Sequence, residues 1–325
     1  MTREIAVDLD FLRRFEAGLD PLHPERSAIP AHILGYGEIS TVLACEAGDP
    51  TLAYKRMPLF NSAAEAAAYV DLYADYTAVL ADAGIDVAPG QMVWIPAANG
   101  RGAVIYLAQE KLPAQSIAHK ALPYLKPPQA LDLLTAVFDE LDKVFRFNAA
   151  HRGEVEVGFD GQLSNWAIAG FEAQDGRLPQ PLRLTYFDTS SPLLRRQGVE
   201  QLNAEIFLRS APFFLIWLLK RLYLEEVVTR YYDLRQVVID LLANLYKEQR
   251  PELILDLTVM GNERWAQGGT GNGRFSTITP SEVAAYYRED AFIWRLYLGA
   301  RRLDRSLHRL ARRPYPHILP GKINR

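Results

Sequence analysis

Strand-like and helix-like patterns alternate along the first third of the chain. Between residues 31 and 109, runs of β-branched and other apolar residues are separated by Gly, Pro, Asn and Asp, the residues typical of turns. This pattern predicts strands at residues 32–34, 40–45, 51–55, 91–95 and 103–109. It indicates a sheet in which neighbouring strands are joined by short hairpin connections.

Two helices are expected in the same part of the chain. Residues 62–83 are rich in Ala and contain no Gly or Pro, and either Asn61 or Ser62 could cap this helix. Glu65 follows Ser62 by three residues, which is the capping-box spacing. Near the beginning of the chain, a shorter helix is predicted from the helical spacing of Phe11, Leu12, Phe15 and Leu19.

Beyond residue 112 the pattern is mainly helical. Apolar residues at steps of three and four predict one face of a buried helix, formed by Leu131, Leu134, Phe138, Leu141 and Phe145. Short strands are expected near residues 155–159, 166–168 and 184–187, and long helices between about 200 and 250 and from about 281 to 312. The order predicts an α+β fold, and 325 residues suffice for two lobes.

Composition and charge limit the kinds of partner molecule that the chain is expected to bind. The chain is 49% hydrophobic and 23% charged with a net charge of −3, which gives no argument for nucleic acid. Its longest strongly apolar run, 211–219, is about half of what a membrane-spanning helix needs, so no membrane insertion is expected. Cys45 is the only cysteine, and charged residues stand where a signal peptide would be apolar. These features predict a cytoplasmic protein.

The first candidate for chemistry is a glycine-containing turn, which starts at Gly35-Tyr36-Gly37-Glu38 and continues through Ser40 to Val42. A dinucleotide-binding loop would open a helix, whereas here a strand continues. Glycines between two strands can lay backbone amides over nucleotide phosphates, and the alternative is a plain hairpin. Lys55 follows at the end of the next apolar strand, where it could either contact phosphate or extend to solvent.

The second candidate is a pair of polar segments that each adjoin a short strand. Asp160 and Asn165 flank a loop between strands, and Asp188 follows the strand that ends at Phe187. Asp and Asn around a loop often indicate only a turn. Magnesium, however, prefers one or two carboxylates together with substrate phosphates. Asn165 and Asp188 could supply such oxygen ligands and leave Asp160 free to accept a proton.

This ordered set of residues resembles the kinase superfamily, and within it the aminoglycoside phosphotransferase and choline kinase branch. The loop from Asp160 to Asn165 is similar to that branch's H-G-D-x-x-x-x-N, with Gly158 in the place of the histidine. Asp188 falls in a segment similar to the branch's I-D-W/F. The segment Gln109-Glu110-Lys111-Leu112 resembles the hinge that grips adenine. The resemblance covers about residues 33 to 195.

The resemblance implies a two-lobe protein-kinase-like fold that binds ATP and Mg²⁺. It implies an N-terminal extension over 1–30, an N-lobe over 31–112 and a C-lobe over 113–325. In this reading Asp160 is the catalytic base, and Asn165 and Asp188 hold the metal. Lys55 contacts phosphate and is supported by Glu65, with Asp71 and Asp75 as competitors. The remaining nucleotide-binding residues are Gly35, Tyr36, Gly37, Glu38, Ser40, Val42, Gln109, Glu110 and Leu112.

The implied activity is transfer of the γ-phosphate of ATP to a hydroxyl of a small molecule. Two alternatives remain open: a nucleotide-binding pseudokinase or scaffold, and a nucleotidyl transferase on the same fold. Residues 200–325 would shape the acceptor site. Within them, the glycine-dense segment 261–274 is expected to be a loop. The arginines of 301–313 are expected to form a solvated face or, alternatively, a surface for an anionic substrate or partner.

Overall fold

The computed structural model describes residues 5–37, 39–98, 100, 102–212, 228–266, 275–312 and 315–320. The fold is α+β, with an antiparallel sheet followed by a mainly helical part. The strands are β1 Ala31–Tyr36, β2 Thr41–Cys45, β3 Leu52–Phe60, β4 Gly90–Pro96, β5 Ala103–Glu110, β6 Val155–Val157, β7 Trp166–Ile168, β8 Leu184–Tyr186, β9 Leu194–Arg196 and β10 Val199–Glu200. The helices are α1 Leu9–Ala17, α2 Ala63–Asp82, α3 Ala118–Ala121, α4 Pro127–Ala150, α5 Glu205–Leu208, α6 Leu234–Lys247, α7 Ile254–Trp265 and α8 Pro280–Leu310.

The five-stranded sheet has the order β1-β2-β3-β5-β4, and every neighbouring pair is antiparallel. Successive side chains on a strand point to opposite faces, so the sheet can bury residues on both sides. Helix α1 covers one face, where the ring of Phe15 meets that of Tyr106 at 6.3 Å. Helix α2 covers part of the other face through Tyr69 and Tyr73, which pack with Leu107.

The helices and strands predicted before residue 110 are confirmed by the structure. Helix α1 buries Phe11, Leu12 and Phe15, as the helical spacing of these residues indicated. Helix α2 begins after Ser62, whose hydroxyl accepts a hydrogen bond from the Glu65 amide at 3.2 Å. All five strands expected before residue 110 are present.

The helical part is built around α4, which contributes a continuous buried face to the largest apolar cluster. Helices α6, α7 and α8 pack around it, together with the β7–β8 hairpin and the small sheet β10-β9-β6.

Two expectations for the helical part agree with the structure only in part. Within the region 200–250, where long helices are expected, the structure describes the short helix α5 and the 14-residue helix α6, and residues 213–227 lie outside the described residues. The loop expected over 261–274 starts later, because α7 continues to Trp265, and residues 267–274 lie outside the described residues. The sequence also predicts that one helix contributes five apolar residues to the core, and these lie outside the described residues: Phe213, Phe214, Trp217, Leu218 and Leu222.

A buried ion pair joins distant parts of the chain. Arg56 of β3 donates from Nε and Nη2 to both carboxylate oxygens of Glu16 in α1, at 2.7 and 2.6 Å. The hydroxyl of Tyr106 on β5 donates to the same carboxylate, and Arg56 Nη1 donates to the carbonyl oxygen of Pro316 at 2.8 Å. The exposed fractions of the two charged side chains are 5% and 7%. The pair therefore connects α1, the sheet and the segment 315–320.

His317, in the same segment, makes the stability of the fold sensitive to acid. Burial, together with Arg301, Arg56 and His308, lowers the pKa of His317 from 6.5 to about 3. Below pH 6.5 the unfolded chain takes up a proton at this residue while the folded chain does not. The free energy of unfolding therefore falls as the pH drops toward 3, by at most about 1.4 kcal/mol per pH unit.

We expect His317→Gln to flatten this acid-side loss of stability relative to wild type. Urea unfolding at pH 7, 6, 5 and 4 measures the free energy of unfolding of both proteins. The difference between them should shift in favour of the variant as the pH falls. Parallel pH dependences for the two proteins would contradict the expectation.

Candidate functional site

The β7–β8 hairpin brings the two residues proposed as metal ligands to the same end of the paired strands. Trp166, the first residue of β7, pairs with Tyr186, the last residue of β8. Asn165 and Phe187 therefore face each other just beyond the pair, and the Phe187 amide donates to the Asn165 carbonyl at 3.1 Å. Asp188 is the next residue. The antiparallel pairing thus brings Asn165 and Asp188 to the same end of the hairpin.

Lys55 reaches this end of the hairpin from the sheet. Its Nζ lies 2.6 Å from Asp188 Oδ1, and the Ser190 hydroxyl donates to the same oxygen at 3.1 Å. Burial alone would raise the pKa of Asp188. The Lys55 ammonium and the two hydrogen bonds outweigh burial and hold the pKa below its ordinary value. Asp188 is therefore an anion next to a cation, an arrangement that can bind both a metal ion and phosphate oxygens.

Lys55 belongs to a row of residues that crosses the sheet. Gly35 pairs directly with Val42, and Val42 pairs directly with Lys55. Residues directly opposite each other in an antiparallel sheet project from the same face. All three are half-buried, and a Cβ added at Gly35 would meet no atom within 4 Å. The face of the sheet that carries Lys55 therefore has open space at Gly35, two strands away.

The glycine-containing turn connects β1 and β2 next to this row. Tyr36 ends β1 and is exposed, and the Gly37 amide donates to the Ser40 carbonyl at 3.0 Å. A Cβ added at Gly37 would lie 2.5 Å from the Ser40 hydroxyl oxygen, so a larger residue here would make the Ser40 side chain rotate. Glu38, predicted to take part in nucleotide binding, lies outside the described residues.

The predicted hinge, residues 109–112, spans the end of β5. Gln109 Nε2 donates to the Phe187 carbonyl at 3.0 Å, so its side chain lies one peptide from Asp188. Glu110 pairs with Leu52 of β3 and is exposed, and Leu112 is half-buried just beyond the strand. The structure therefore places Gln109 at the site and leaves Glu110 and Leu112 at its edge.

The predicted pairing of Lys55 with Glu65 is not formed. Glu65 accepts a hydrogen bond from Arg209 at 2.6 Å and from the Asn61 amide at 2.9 Å. Of its competitors, Asp75 contacts Arg196 at 3.1 Å and Asp71 is exposed. Helix α2 turns tyrosines toward the site instead, and Tyr69 donates to the Ser190 carbonyl at 2.7 Å. The carboxylate that holds Lys55 is thus Asp188.

Asp160, the predicted base, lies in the loop between β6 and β7. Its Oδ1 accepts the Gln162 amide at 3.1 Å, and Asn165 Nδ2 donates to its backbone carbonyl at 3.2 Å. Burial and the nearby carboxylates Asp240 and Asp188 raise the pKa of Asp160 to about 8. A carboxyl group with this pKa is mostly protonated at neutral pH, and its ionised fraction is a stronger base than an exposed aspartate.

A second carboxylate beside Asp160 was not found from the sequence. Asp240 of α6 accepts hydrogen bonds from Gln162 Nε2 at 2.7 Å and from the Tyr286 hydroxyl at 2.9 Å. Burial raises its pKa, and Asp290 adds to this shift. Arg230 donates to the Tyr286 hydroxyl at 2.7 Å. Asp240 is the lone charge in the apolar run 237–242, and such a residue is a recognisable signal because a buried carboxylate needs partners.

The donor set can be compared with what magnesium requires. Within the described ranges, no three His, Cys, Asp or Glu side chains form a group that could hold a metal ion without other ligands. Magnesium usually takes one or two carboxylates and completes its shell with phosphates and water. One carboxylate of Asp188 and one amide oxygen of Asn165 fit this requirement when nucleotide phosphates are present.

The architecture defines an α+β protein whose antiparallel sheet and helical part are compatible with a two-lobe fold. Residues 23–305 match DUF6206, a family of unknown function, and the chain belongs to this family. No curated protein matches the chain. In the part that the structure describes, no helix combines the length and apolar character needed to cross a bilayer.

One solved structure, described as "WaaP in complex with acyl carrier protein", is similar to 78% of this chain and 98% of that chain. The sequence identity is 17% and the TM-score is 0.31. This similarity is too low to carry an argument about fold or function.

Proposed function

We propose that this protein is an ATP- and magnesium-dependent phosphotransferase with a two-lobe kinase-like fold. It would transfer the γ-phosphate to a hydroxyl of a small molecule. The observation that carries the proposal is the meeting of Lys55, Asp188 and Asn165 at one end of the β7–β8 hairpin. These residues come from segments far apart in the chain, and each has the chemistry that its proposed role requires.

Each residue at the site has a role that follows from its position. Asp188 and Asn165 would hold magnesium, which neutralises charge on phosphate oxygens when it is bound. Lys55 lies 2.6 Å from Asp188 and would contact the same phosphates. The open face beside Gly35 and Val42 would admit the nucleotide, under the backbone amides of the glycine turn.

Asp160 would orient the acceptor hydroxyl and take its proton. The Gln162 amide donates to Oδ1, which helps to hold the carboxylate in place. The raised pKa of about 8 makes the carboxylate a stronger base than an exposed aspartate. Catalysis in phosphoryl transfer rests mostly on positioning and on charge neutralisation, and the site would supply both.

Thermal unfolding of the wild-type protein with ATP, with Mg²⁺ and with both together tests the nucleotide site. A ligand that binds only the folded state raises the apparent melting temperature by mass action. We expect a rise with ATP that becomes larger when Mg²⁺ is added. Unchanged melting at saturating ATP and Mg²⁺ would contradict the proposal.

The co-product of turnover distinguishes phosphoryl transfer from its alternatives. Incubation with ATP, Mg²⁺ and a panel of small hydroxyl compounds should release ADP. Pyrophosphate would instead indicate nucleotidyl transfer. Stabilisation by ATP without either product across the panel would favour a nucleotide-binding pseudokinase.

A further inference from the structure

Helix α8 carries a line of exposed apolar residues along its second half. The line is formed by Phe292, Leu296, Leu303, Leu307 and Leu310, and we call it the leucine stripe. The exposed fractions of its side chains range from 43% at Leu307 to 83% at Leu310. Exposed apolar residues that occur singly are normal, whereas a contiguous line marks an interaction surface.

The leucine stripe faces away from the part of the protein that the structure describes. The residues that α8 buries, Val283, Ala291, Leu298 and Arg301, fall on the opposite side of the helix. Val283 belongs to the main apolar cluster, and Tyr287 of α8 stacks on Tyr246 of α6 at 5.0 Å. One face of the helix thus packs against the protein, and the leucine stripe lies on the opposite face.

Arginines border the leucine stripe along one edge. Arg288, Arg295, Arg302 and Arg309 follow one another at steps of seven residues, so they lie on one line of the helix. The other arginines of residues 288–312 include the buried Arg301, and the acidic residues of this range are Glu289, Asp290 and Asp304. The surface is therefore apolar along its centre and positively charged beside it.

We propose that the leucine stripe and its arginines dock this protein on the surface of a bilayer that contains anionic lipids. Such a helix lies in the plane of the interface, with its apolar side chains between the headgroups and its cations near their phosphates. From Phe292 to Leu310 the helix extends about 27 Å, at about 1.5 Å per residue. It would lie along the surface and would not cross the bilayer.

The shape and charge of this face favour a bilayer over other occupants. The leucine stripe is convex, because it runs along the outer side of a single helix, whereas an apolar groove is what a partner helix fills. A second copy of α8 would bring a second line of arginines to the same contact, and like charges repel each other there. A bilayer accepts a convex apolar ridge and supplies the negative charge.

Vesicle co-sedimentation of the full chain tests the proposal. The wild type is mixed with phosphatidylcholine vesicles and with vesicles that contain phosphatidylglycerol as well, at low and at high salt. We expect binding to the anionic vesicles that weakens as salt is added. Leu303→Ser combined with Leu310→Ser should lower the partition coefficient at least about tenfold, because the apolar part of the contact is lost.

Matched control variants distinguish binding through the leucine stripe from nonspecific binding to the vesicles. Leu255→Ser combined with Val259→Ser removes exposed apolar side chains from α7 and should leave binding unchanged. Arg295→Gln combined with Arg309→Gln should weaken binding and reduce its salt dependence, whereas Arg14→Gln on α1 should do neither. All variants alter exposed positions, so their melting temperatures should match that of the wild type.

Two results would overturn the proposal. One is failure of the wild type to bind anionic vesicles at low salt. The other is equal binding by the wild type and by the leucine-stripe variant. If vesicles are not bound and sedimentation velocity shows a dimer that the leucine-stripe variant abolishes, the surface belongs to a second copy of this chain instead.

Discussion

Asp188→Asn is expected to abolish the magnesium-dependent part of the stabilisation by ATP and to slow ATP turnover at least about a hundredfold. The substitution removes the carboxylate charge that faces Lys55 at 2.6 Å and that would bind the metal ion. Thermal melting with ATP, with and without Mg²⁺, measures the first effect. Release of ADP with water as the acceptor measures the second.

The fold should survive this change. The amide oxygen that the substitution introduces can still accept hydrogen bonds from Lys55 and Ser190, which now contact Asp188 Oδ1. The substitution also removes a negative charge near Asp160, which lessens repulsion between the two carboxylates. Because Lys55, with 13% of its side chain exposed, loses its counter-charge, the melting temperature without nucleotide should fall. The response to ATP and Mg²⁺ is therefore measured relative to each protein's own melting temperature without nucleotide.

Asp75→Asn is the matched control. Asp75 lies on α2 with 57% of its side chain exposed and contacts Arg196, away from the hairpin. It should keep the full response to ATP and Mg²⁺. Near-normal turnover and an unchanged magnesium response in Asp188→Asn would show that Asp188 does not hold the metal.

The meeting of Asn165 and Asp188 could be anticipated from the sequence because it depends on local structure. Two short apolar runs, 166–168 and 184–186, pair as a hairpin, and each proposed ligand adjoins the paired end. The same holds for the cap of α2, where Ser62 and Glu65 are only three residues apart. Two short strand patterns determine the first arrangement, and a capping pattern within one helical turn determines the second.

The partner of Glu65 could not be anticipated, because it depends on distant parts of the chain. Arg209 is 144 residues further along, and no local pattern connects the two. The rotation of α2 about its axis is set by Tyr69 and Tyr73, which pack against the sheet. With the tyrosines facing the site, the Glu65 carboxylate lies beside Arg209. Asp188 is therefore the carboxylate that pairs with Lys55.

The surroundings of Asp160 could be predicted from the sequence only in part. The loop residues Asp160 and Gln162 were within the recognised segment, but the carboxylate that raises the pKa of Asp160 comes from α6. Asp240 interrupts an apolar run, so the sequence carried a sign of a buried charge without indicating its neighbour. Only the packing of α6 against the loop shows that the two carboxylates are close.

Breaking the buried pair between Arg56 and Glu16 is expected to cost about 3–5 kcal/mol of the free energy of unfolding. Glu16→Gln leaves the Arg56 guanidinium without its counter-charge at a position where only 5% of the side chain is exposed. The Tyr106 hydroxyl and the Pro316 carbonyl, which share this network, remain and cannot neutralise the cation. Urea unfolding at pH 7 measures the loss.

The double variant Glu16→Leu with Arg56→Met distinguishes an uncompensated charge from a loss of packing. Removal of both charges removes the cost of desolvating them together with their attraction. The free energy of unfolding of the double variant should therefore be much closer to the wild-type value than that of Glu16→Leu alone or Arg56→Met alone. Asp75→Asn, which breaks an exposed pair with Arg196, should cost less than about 1 kcal/mol. If the two single losses simply add in the double variant, the pair contributes through packing, and the electrostatic explanation is wrong.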